Sequence, residues 1–351
     1  MATTIKEIAQ LAGVSIGTVD RALHNRGRID PGVAQRIRKI AKELDYKPNS
    51  IAQGLSACSR RFRIAVVFHR KSLDVFFQDV LQGIEIGREE AAEASVEVDL
   101  FYGEAFSFES QLELLEKVEQ EQYNALIIVP INHDRVKARI NALCQAGIPV
   151  ILLTNIVDRC DFLSFVGCDY TQSGQIAAGL LNMIHPEPGK LLYLSPPLKM
   201  LGHILRINGL KDQLCKSYPQ IELSEICELT GSDIKDYEIA WHALKRNPDL
   251  DMIVCPGAGS NGHMKAIEEF FSTRHVKVIS YDYSKDTDRY IRNRLITATL
   301  IQYPKQQGYF AVKTALGRLL DPKNFVAEKF QHLPTGIFFL ENLDNLDSWY
   351  V

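Results

Sequence analysis

The feature of the sequence that most restricts its fold is a regular alternation of short apolar runs and helical stripes, which begins at Arg63. The apolar runs have the length of strands, and the segments between them carry apolar residues at helical spacing. Runs occur at 64–68, 96–101, 125–129, 150–153, 190–194, 252–255, 277–281 and 297–301, and stripes at 77–94, 110–121 and 136–146. Strands that alternate with helices predict parallel sheets covered on both faces. We therefore predict an α/β body with two sheets, and hence two lobes, over residues 62–351.

The order of these runs also predicts where a ligand would bind. Ligands of open α/β sheets lie beyond the carboxyl ends of the strands. We place the first lobe at about 62–165 and 300–325 and the second lobe at about 168–298 and 326–351. The cleft between the two lobes is therefore the expected site.

The first part of the chain follows a different pattern, that of three short helices. Thr4 and Glu7 have the spacing of a capping box, and Gly13 interrupts the apolar stripe that follows. Ser15 can cap a second helix and Asp30 a third. This arrangement predicts an all-α head with a helix-turn-helix, although an inert three-helix bundle would show the same spacing.

Charge is distributed unevenly between the head and the body. Residues 1–61 hold 11 Lys and Arg against 5 Asp and Glu, a net charge of +6, which leaves -9 for the remaining residues. A basic head on an acidic body is typical of a protein that binds a polyanion at one end. A solvated charged surface is the alternative interpretation.

The head also carries a specific sequence pattern. It reads Ile5-Lys6-Glu7-Ile8-Ala9, Ala12-Gly13-Val14-Ser15, Thr18-Val19 and Arg21-Ala22-Leu23, followed by Ile37, Ala41 and Leu44-Asp45-Tyr46-Lys47-Pro48-Asn49. Over nearly all of residues 3–56 this pattern strongly resembles the head of the lactose/galactose repressor (LacI/GalR) family. The resemblance implies a transcription regulator of the repressor type that binds double-stranded operator DNA. We assign residues 1–47 to the helix-turn-helix domain and 48–61 to a hinge helix or linker.

In this family the second helix lies in the major groove. The resemblance implies DNA contacts for Ser15, Ile16, Gly17, Thr18, Asp20 and Arg21. The fork of Arg21 can bond guanine O6 and N7 together. Asp20 stands where the family usually has serine, so we expect it to pair with a cation such as Arg21 or to accept from a cytosine amino group. Ile16 and Gly17 also depart from the polar residues that are common there.

A short amphipathic stretch, 49–56, follows the head and is too short to hold a helix alone in water. The resemblance implies a hinge helix that orders on operator DNA. In it Asn49 would cap the helix, Leu55 would wedge into a minor-groove base step and Ala52 would sit beside it. Gly54 would weaken the free hinge helix by roughly 1 kcal/mol. An ordinary interdomain linker is the alternative.

The body resembles the ribose-type periplasmic sugar-binding proteins, the fold that this repressor family uses as a sensor. This implies allosteric control by a small sugar, polyol or sugar-derivative effector. The expected contacts are Asp74, Phe76, Phe77, Asn155, Arg206, Asp282 and Gln302. Aromatic faces suit the C–H surfaces of a sugar ring, and carboxylates and amides bond its hydroxyls. Alternatively, Phe76 and Phe77 belong to the core, and Arg206 and Asp282 form a structural ion pair.

Two positions depart from the ribose-type pattern. Asn155-Ile156 replaces an Asp-Arg pair, and Pro256-Gly257 replaces Asn-Asp. Fewer charged groups are therefore expected in the cleft.

A second motif competes with the sensor interpretation. Residues 257–262 read G-x-G-x-x-G between a predicted strand and a helix, and Asp282 follows 20 residues after Gly262. This is the dinucleotide fingerprint, so a dinucleotide sensor or an oxidoreductase is the alternative function. The motif lies in the second lobe rather than in the first βαβ unit, which argues against that function. We expect no enzymatic activity, no catalytic residue, no metal and no cofactor.

Several expectations concern assembly and location. No signal peptide or apolar run of about 18 residues is found, so we expect a cytoplasmic protein without membrane contact. The seven cysteines lack metal-binding spacing and are expected to be reduced. Reading a pseudo-palindromic operator requires two heads, so we expect a homodimer.

Overall fold

The structure is a computed structural model, and it describes residues 5–23, 30–44, 61–70, 74–104, 106–271 and 275–345. The chain divides into two compact units, Met1–Cys58 and Ser59–Val351. The expected hinge residues Asn49, Ala52 and Leu55 lie outside the described residues, as do the side chains of Ile16, Asp20 and Arg21.

The first unit contains the helices α1 (Ile5–Ala12), α2 (Ile16–Leu23) and α3 (Pro31–Glu43). Gly13 takes a positive φ of 66° in the turn between α1 and α2, a conformation that glycine adopts without strain. The Ser15 hydroxyl accepts from the Thr18 amide at 3.2 Å, and Asp30 Oδ1 accepts from the Val33 amide at 3.0 Å. Ile8, Val19 and Ile37 are fully buried where the helices meet. The predicted helix-turn-helix head is confirmed.

The second unit alternates strands and helices throughout. In chain order its elements are β1 (Phe62–Phe68), α4 (Val75–Glu93), β2 (Val96–Tyr102), α5 (Phe108–Gln120), β3 (Ala125–Ile128), α6 (Asp134–Gln145), β4 (Val150–Leu153), β5 (Ser164–Cys168), α7 (Tyr170–Ile184), β6 (Gly189–Ser195), α8 (Leu201–Ser217), β7 (Ile221–Glu228), α9 (Asp233–Arg246), β8 (Met252–Pro256), α10 (Gly262–Phe270), β9 (Lys277–Tyr281), α11 (Lys285–Arg292), β10 (Ala298–Ile301), α12 (Pro304–Leu320), β11 (Phe330–Leu333) and β12 (Gly336–Phe338).

These strands form two sheets, one in each lobe. The first-lobe sheet has the order β11-β5-β4-β3-β1-β2, and each of its pairings is parallel. The second-lobe sheet has the order β12-β10-β9-β8-β6-β7 and is parallel except for β12, which runs antiparallel to β10. The central strands are buried on both faces, as helices on both sides require. The predicted two-lobed α/β fold with parallel sheets is confirmed.

The chain crosses between the lobes three times: after β5, after β10 and after β11. The expected return to the second lobe at residue 326 requires correction, because β11 pairs with β5 in the first lobe. The expected return to the first lobe at 300 also falls within β10, a second-lobe strand. The β11 segment is a short edge strand with a polar and half-exposed pattern, so it gives no apolar run in the sequence.

Glycine allows two helix pairs to cross at backbone distance. A Cβ atom on Gly174 of α7 would lie 2.0 Å from the Arg206 carbonyl oxygen, and one on Gly209 of α8 would lie 2.1 Å from the Thr171 oxygen. In the first lobe, Gly83 of α4 and Gly308 of α12 meet their partners just as closely, at 1.8 and 2.0 Å. The first of these crossings fixes the turn of α8 that carries Arg206.

The helices that the structure describes include none with the length and apolar character needed to cross a membrane.

Candidate effector site

A cavity of about 580 Å³ lies between the lobes at the carboxyl ends of the strands. We call it the central cavity. Its walls come from both lobes, and many of the lining residues follow a strand directly. Among them are His69 after β1, Thr154 after β4, Asp282 after β9 and Gln302 after β10. The central cavity therefore lies where the sheet topology predicts a ligand site.

The two phenylalanines at the start of α4 have different surroundings, although both line the central cavity. Phe77 is 8% exposed, and its ring centroid lies 4.9 Å from that of His69 and 6.2 Å from that of Phe68. Phe76 is half-buried and packs edge-on against Phe77 at 5.1 Å. Phe77 thus joins the core, whereas Phe76 presents more of its ring to the cavity.

Asp74 fixes the start of α4. Its Oδ1 atom accepts from the Phe77 amide at 3.0 Å, and its Oδ2 atom pairs with Arg70. This carboxylate lines the central cavity, but both of its oxygens already have protein partners.

Arg206 is a buried cation in the cavity wall, with only 2% of its surface exposed. Its guanidinium lies over the ring of Tyr281 at 3.9 Å and near that of Tyr170 at 5.2 Å. Its Nε and Nη2 atoms are buried without a hydrogen-bond partner among the described residues. These two N–H groups point in the same direction and form one edge of the guanidinium, which suits a bidentate acceptor.

Asp282 follows β9 with a positive φ of 69° and accepts a hydrogen bond from Gln302 Nε2 at 2.7 Å. Burial raises the pKa of Asp282 from 3.8 to about 6, although the positive charge of Arg206 acts in the opposite direction. At pH 7 the carboxylate is therefore mostly ionised and can accept from a ligand hydroxyl.

Gln302 lies where the chain crosses from β10 to α12. Besides its bond to Asp282, its Oε1 atom accepts from Cys168 Sγ at 3.1 Å and its backbone oxygen accepts from Gln307 Nε2 at 2.8 Å. One side chain thus joins two of the crossings between the lobes to the cavity wall.

Asn155, expected as an effector contact, is absent from the described lining of the central cavity. It is 2% exposed, and its Nδ2 atom donates to the Pro130 oxygen at 2.7 Å. Its Oδ1 atom accepts from the Gly202 amide at 3.1 Å, at the start of α8. The structure therefore places Asn155 as a link between the lobes.

Three histidines in the cavity wall were not expected from the sequence as effector contacts. His69 is 1% exposed, and burial lowers its pKa to about 3, with further effects from Arg70 and His203. Burial likewise lowers the pKa of His203 to about 4, and burial also lowers that of His263. These imidazoles are neutral at pH 7. His69 and Thr154 each follow a predicted strand directly, a positional signal that could have identified them.

The glycine-rich turn opens α10 after β8, as the competing motif requires. A Cβ atom on Gly257 would lie 2.7 Å from the Asp282 oxygen, and one on Gly262 would lie 1.8 Å from the Asp233 oxygen. Close packing thus accounts for both glycines. The Asn261 amide donates to Asp233 Oδ1 at 2.8 Å, so a protein carboxylate occupies the helix start that a pyrophosphate would need. This arrangement disfavours dinucleotide binding.

In the head, Ser15 and Gly17 are exposed and Thr18 is half-buried around the first turn of α2. The hydroxyls of Ser15 and Thr18 are hydrogen-bonded to each other at 2.9 Å. The exposed side of this turn is the surface from which DNA contacts are expected.

Two protein families match the chain. Residues 4–49 match the bacterial regulatory proteins of the lacI family, and residues 64–322 match the periplasmic binding protein domain. The HTH-type transcriptional regulator AscG of Escherichia coli (strain K12) is 27% identical over 286 residues, covering 80% of this chain and 82% of the relative.

Two other similar proteins share the fold of the body. The D-allose-binding periplasmic protein of Escherichia coli (strain K12) is 24% identical over 248 residues, which covers 68% of this chain and 78% of the relative. The crystal structure of GanP, a glucose-galactose binding protein from Geobacillus stearothermophilus, superposes with a TM-score of 0.73 at 20% identity. That superposition covers 81% of this chain and 99% of GanP. This chain is therefore a transcription regulator of the lacI family, whose body belongs to the periplasmic binding protein domain family.

Proposed function

We propose that this regulator is a homodimeric repressor, and that a small sugar, polyol or sugar derivative in the central cavity controls its affinity for double-stranded operator DNA. We further propose that it acts in the cytoplasm and catalyses no reaction. The observation that carries the effector proposal is the buried and unpartnered edge of Arg206.

Buried donors without partners are costly, since each loses its bonds to water without replacement. A ligand that places two oxygens against Nε and Nη2 of Arg206 satisfies both donors at once. Adjacent hydroxyls, or a ring oxygen with its neighbouring hydroxyl, provide such a pair. Asp282 then accepts from a further hydroxyl, and Phe76 covers an apolar face of the ring.

Known relatives support this effector class. The similar proteins named above include one that binds D-allose and one that binds glucose and galactose. We assign direct effector contacts to Phe76, Arg206 and Asp282, with Asp74, Phe77 and Gln302 fixing the walls. Asn155 is assigned to the link between the lobes.

For DNA binding we retain the roles implied by the family. The residues assigned to the major groove are Ser15, Ile16, Gly17, Thr18, Asp20 and Arg21, and those assigned to the hinge are Asn49, Ala52 and Leu55. A ligand that contacts both lobes favours one arrangement of the lobes, and this arrangement is coupled to the affinity of the heads for DNA.

Substitution of Arg206 tests the proposal. We expect the thermal stability of the wild type to rise with at least one member of a panel of D-allose, D-glucose, D-galactose, D-arabinose and common polyols. Arg206→Ala should lose that response, because the paired donors are gone. Arg139→Ala provides the control, since Arg139 forms an exposed ion pair with Glu119 away from the cavity.

Operator affinity is the second measurement, made on a duplex selected from random-sequence DNA. We expect the stabilising sugar to change the affinity of the wild type and of Arg139→Ala, and to leave that of Arg206→Ala unchanged. An unaltered sugar response in Arg206→Ala would contradict the assignment of the site. Tight binding of NAD(H) without any sugar response would favour the dinucleotide alternative.

A further inference from the structure

Two turns of the second lobe expose backbone amides toward the central cavity, and an aspartate fills each of them. Asp236 Oδ1 accepts from the Thr230 amide at 2.6 Å and from the Thr230 hydroxyl at 2.8 Å, and Oδ2 accepts from the Gly231 amide at 3.0 Å. Asp233 Oδ1 accepts from the Asn261 amide at 2.8 Å. Both aspartates line the central cavity.

Without these carboxylates, the same wall would suit an anion. The N-terminal ends of α9 and α10 meet here, since a Cβ atom on Gly262 would lie 1.8 Å from the Asp233 oxygen. Helix N-termini carry partial positive charge and free N–H groups, which together favour phosphate. The side chain of Asp233 reaches from the start of α9 to the start of α10, and so occupies the position that a ligand phosphate would take.

The remaining charges of the cavity also oppose an anion. Among the described lining residues, the carboxylates of Asp74, Asp233, Asp236 and Asp282 stand against two guanidiniums, those of Arg70 and Arg206. Arg70 is already paired with Asp74. The lining histidines have lowered pKa values and add no positive charge at pH 7.

We propose that Asp233 is a specificity-determining residue, which excludes ligands that bear a phosphate group from the second-lobe wall of the central cavity. Asp236 closes the neighbouring turn in the same way. The effector is then an unphosphorylated sugar or polyol. This statement about the effector rests on the function proposed above, whereas the exclusion of phosphate by Asp233 does not.

Inorganic phosphate is the probe that tests the role of Asp233, in titration calorimetry on the full chain at constant ionic strength. We expect Asp233→Asn to bind phosphate at least roughly tenfold more tightly than the wild type, because a like charge close to the site is removed. Asp286→Asn is the matched control. It removes the same charge from a side chain that contacts Asn261 Nδ2 but is not among the described lining residues.

The basic head contributes equally to all three proteins, so only the difference between variants carries the result. Asp233→Ser is the second variant, for use if Asp233→Asn loses its folded circular dichroism spectrum. The proposal is overturned if the wild type binds phosphate as tightly as the folded Asp233 variant, or if that variant gains no more than Asp286→Asn. Because no sugar is present, failure of the sugar panel leaves this result intact, and failure here leaves the sugar panel intact.

Discussion

At the scale of single residues, Asp282 combines a left-handed backbone, a bond to Gln302 and a raised pKa. Burial is the main cause of the raised pKa, so the folded chain holds a proton that the unfolded chain has already released. The ionised carboxylate therefore opposes folding while preparing the cavity for a hydroxyl donor.

We predict that Asp282→Asn changes the pH dependence of stability. Between pH 4 and 6 the unfolded carboxyl is ionised while the folded one keeps its proton, so the contribution of Asp282 to stability falls as the pH rises. A rise in pKa from 3.8 to about 6 corresponds to at most about 3 kcal/mol, and partial exposure of this half-buried group reduces the effect. Urea denaturation should show Asp282→Asn gaining stability relative to the wild type from pH 4 to 7. An equal difference at every pH would contradict this prediction.

Residue positions could be predicted from the sequence where a side chain directly follows a strand or belongs to a matched family motif. Arg206, Asp282 and Gln302 line the central cavity at such positions. Asn155 and Thr154 show the limit of this approach. Thr154 lines the cavity, whereas the next residue bonds Pro130 and Gly202 behind it. Successive side chains of an extended chain point in opposite directions, so an offset of one residue exchanges a ligand contact for a structural one.

At the scale of helices and strands, the pair α7 and α8 crosses at reciprocal glycines, and Arg206 is carried on the turn that they fix. Helices this close cannot accept a side chain at the crossing without moving apart. The packing of the pair therefore determines both the stability of the second lobe and the position of the guanidinium.

We predict that Gly174→Ala destabilises the second unit by roughly 1–3 kcal/mol or more, because the new methyl group meets backbone atoms that cannot rotate away. The sugar response should weaken as well, since Arg206 moves with α8. Gly179→Ala in the same helix is the control, as its Cβ atom would meet only the Tyr218 hydroxyl at 3.7 Å. Alanine there should be neutral or stabilising by about 1 kcal/mol. Equal urea midpoints for the two variants would show that the crossing tolerates separation.

The apolar runs predicted most strands but not β5, β7, β11 and β12. The β7 strand alternates apolar with polar or charged side chains and is largely half-exposed, because it lies at an edge of its sheet. The β11 and β12 segments are also edge strands, and they are only four and three residues long. Apolar periodicity reports burial, so it detects central strands and loses those at the edges.

At the scale of the whole molecule, the chain separates into a basic head and an acidic body that form distinct compact units. We predict that DNA affinity resides in the head and falls by roughly 0.9 log unit per log unit of salt for each phosphate contact. A chain that begins at residue 62 should have no affinity for the selected duplex. Fluorescence anisotropy over a salt series would measure both effects. Binding of that shortened chain as tight as that of the full chain would contradict the division of functions.

The late position of α12 and β11 in the chain has a consequence for synthesis. The Glu90 carboxylate accepts from the Tyr309 hydroxyl at 2.9 Å and from Lys313 Nζ at 2.6 Å, across separations of 219 and 223 residues. A ribosome adding about 5–20 residues per second needs roughly 10–40 s to cover such a separation. Throughout that interval the nascent first lobe exposes the apolar face of β3, β4 and β5 that α12 later covers. The second lobe emerges in between, so the first lobe depends on chaperones, or on slow collapse, until its own last helix leaves the exit tunnel.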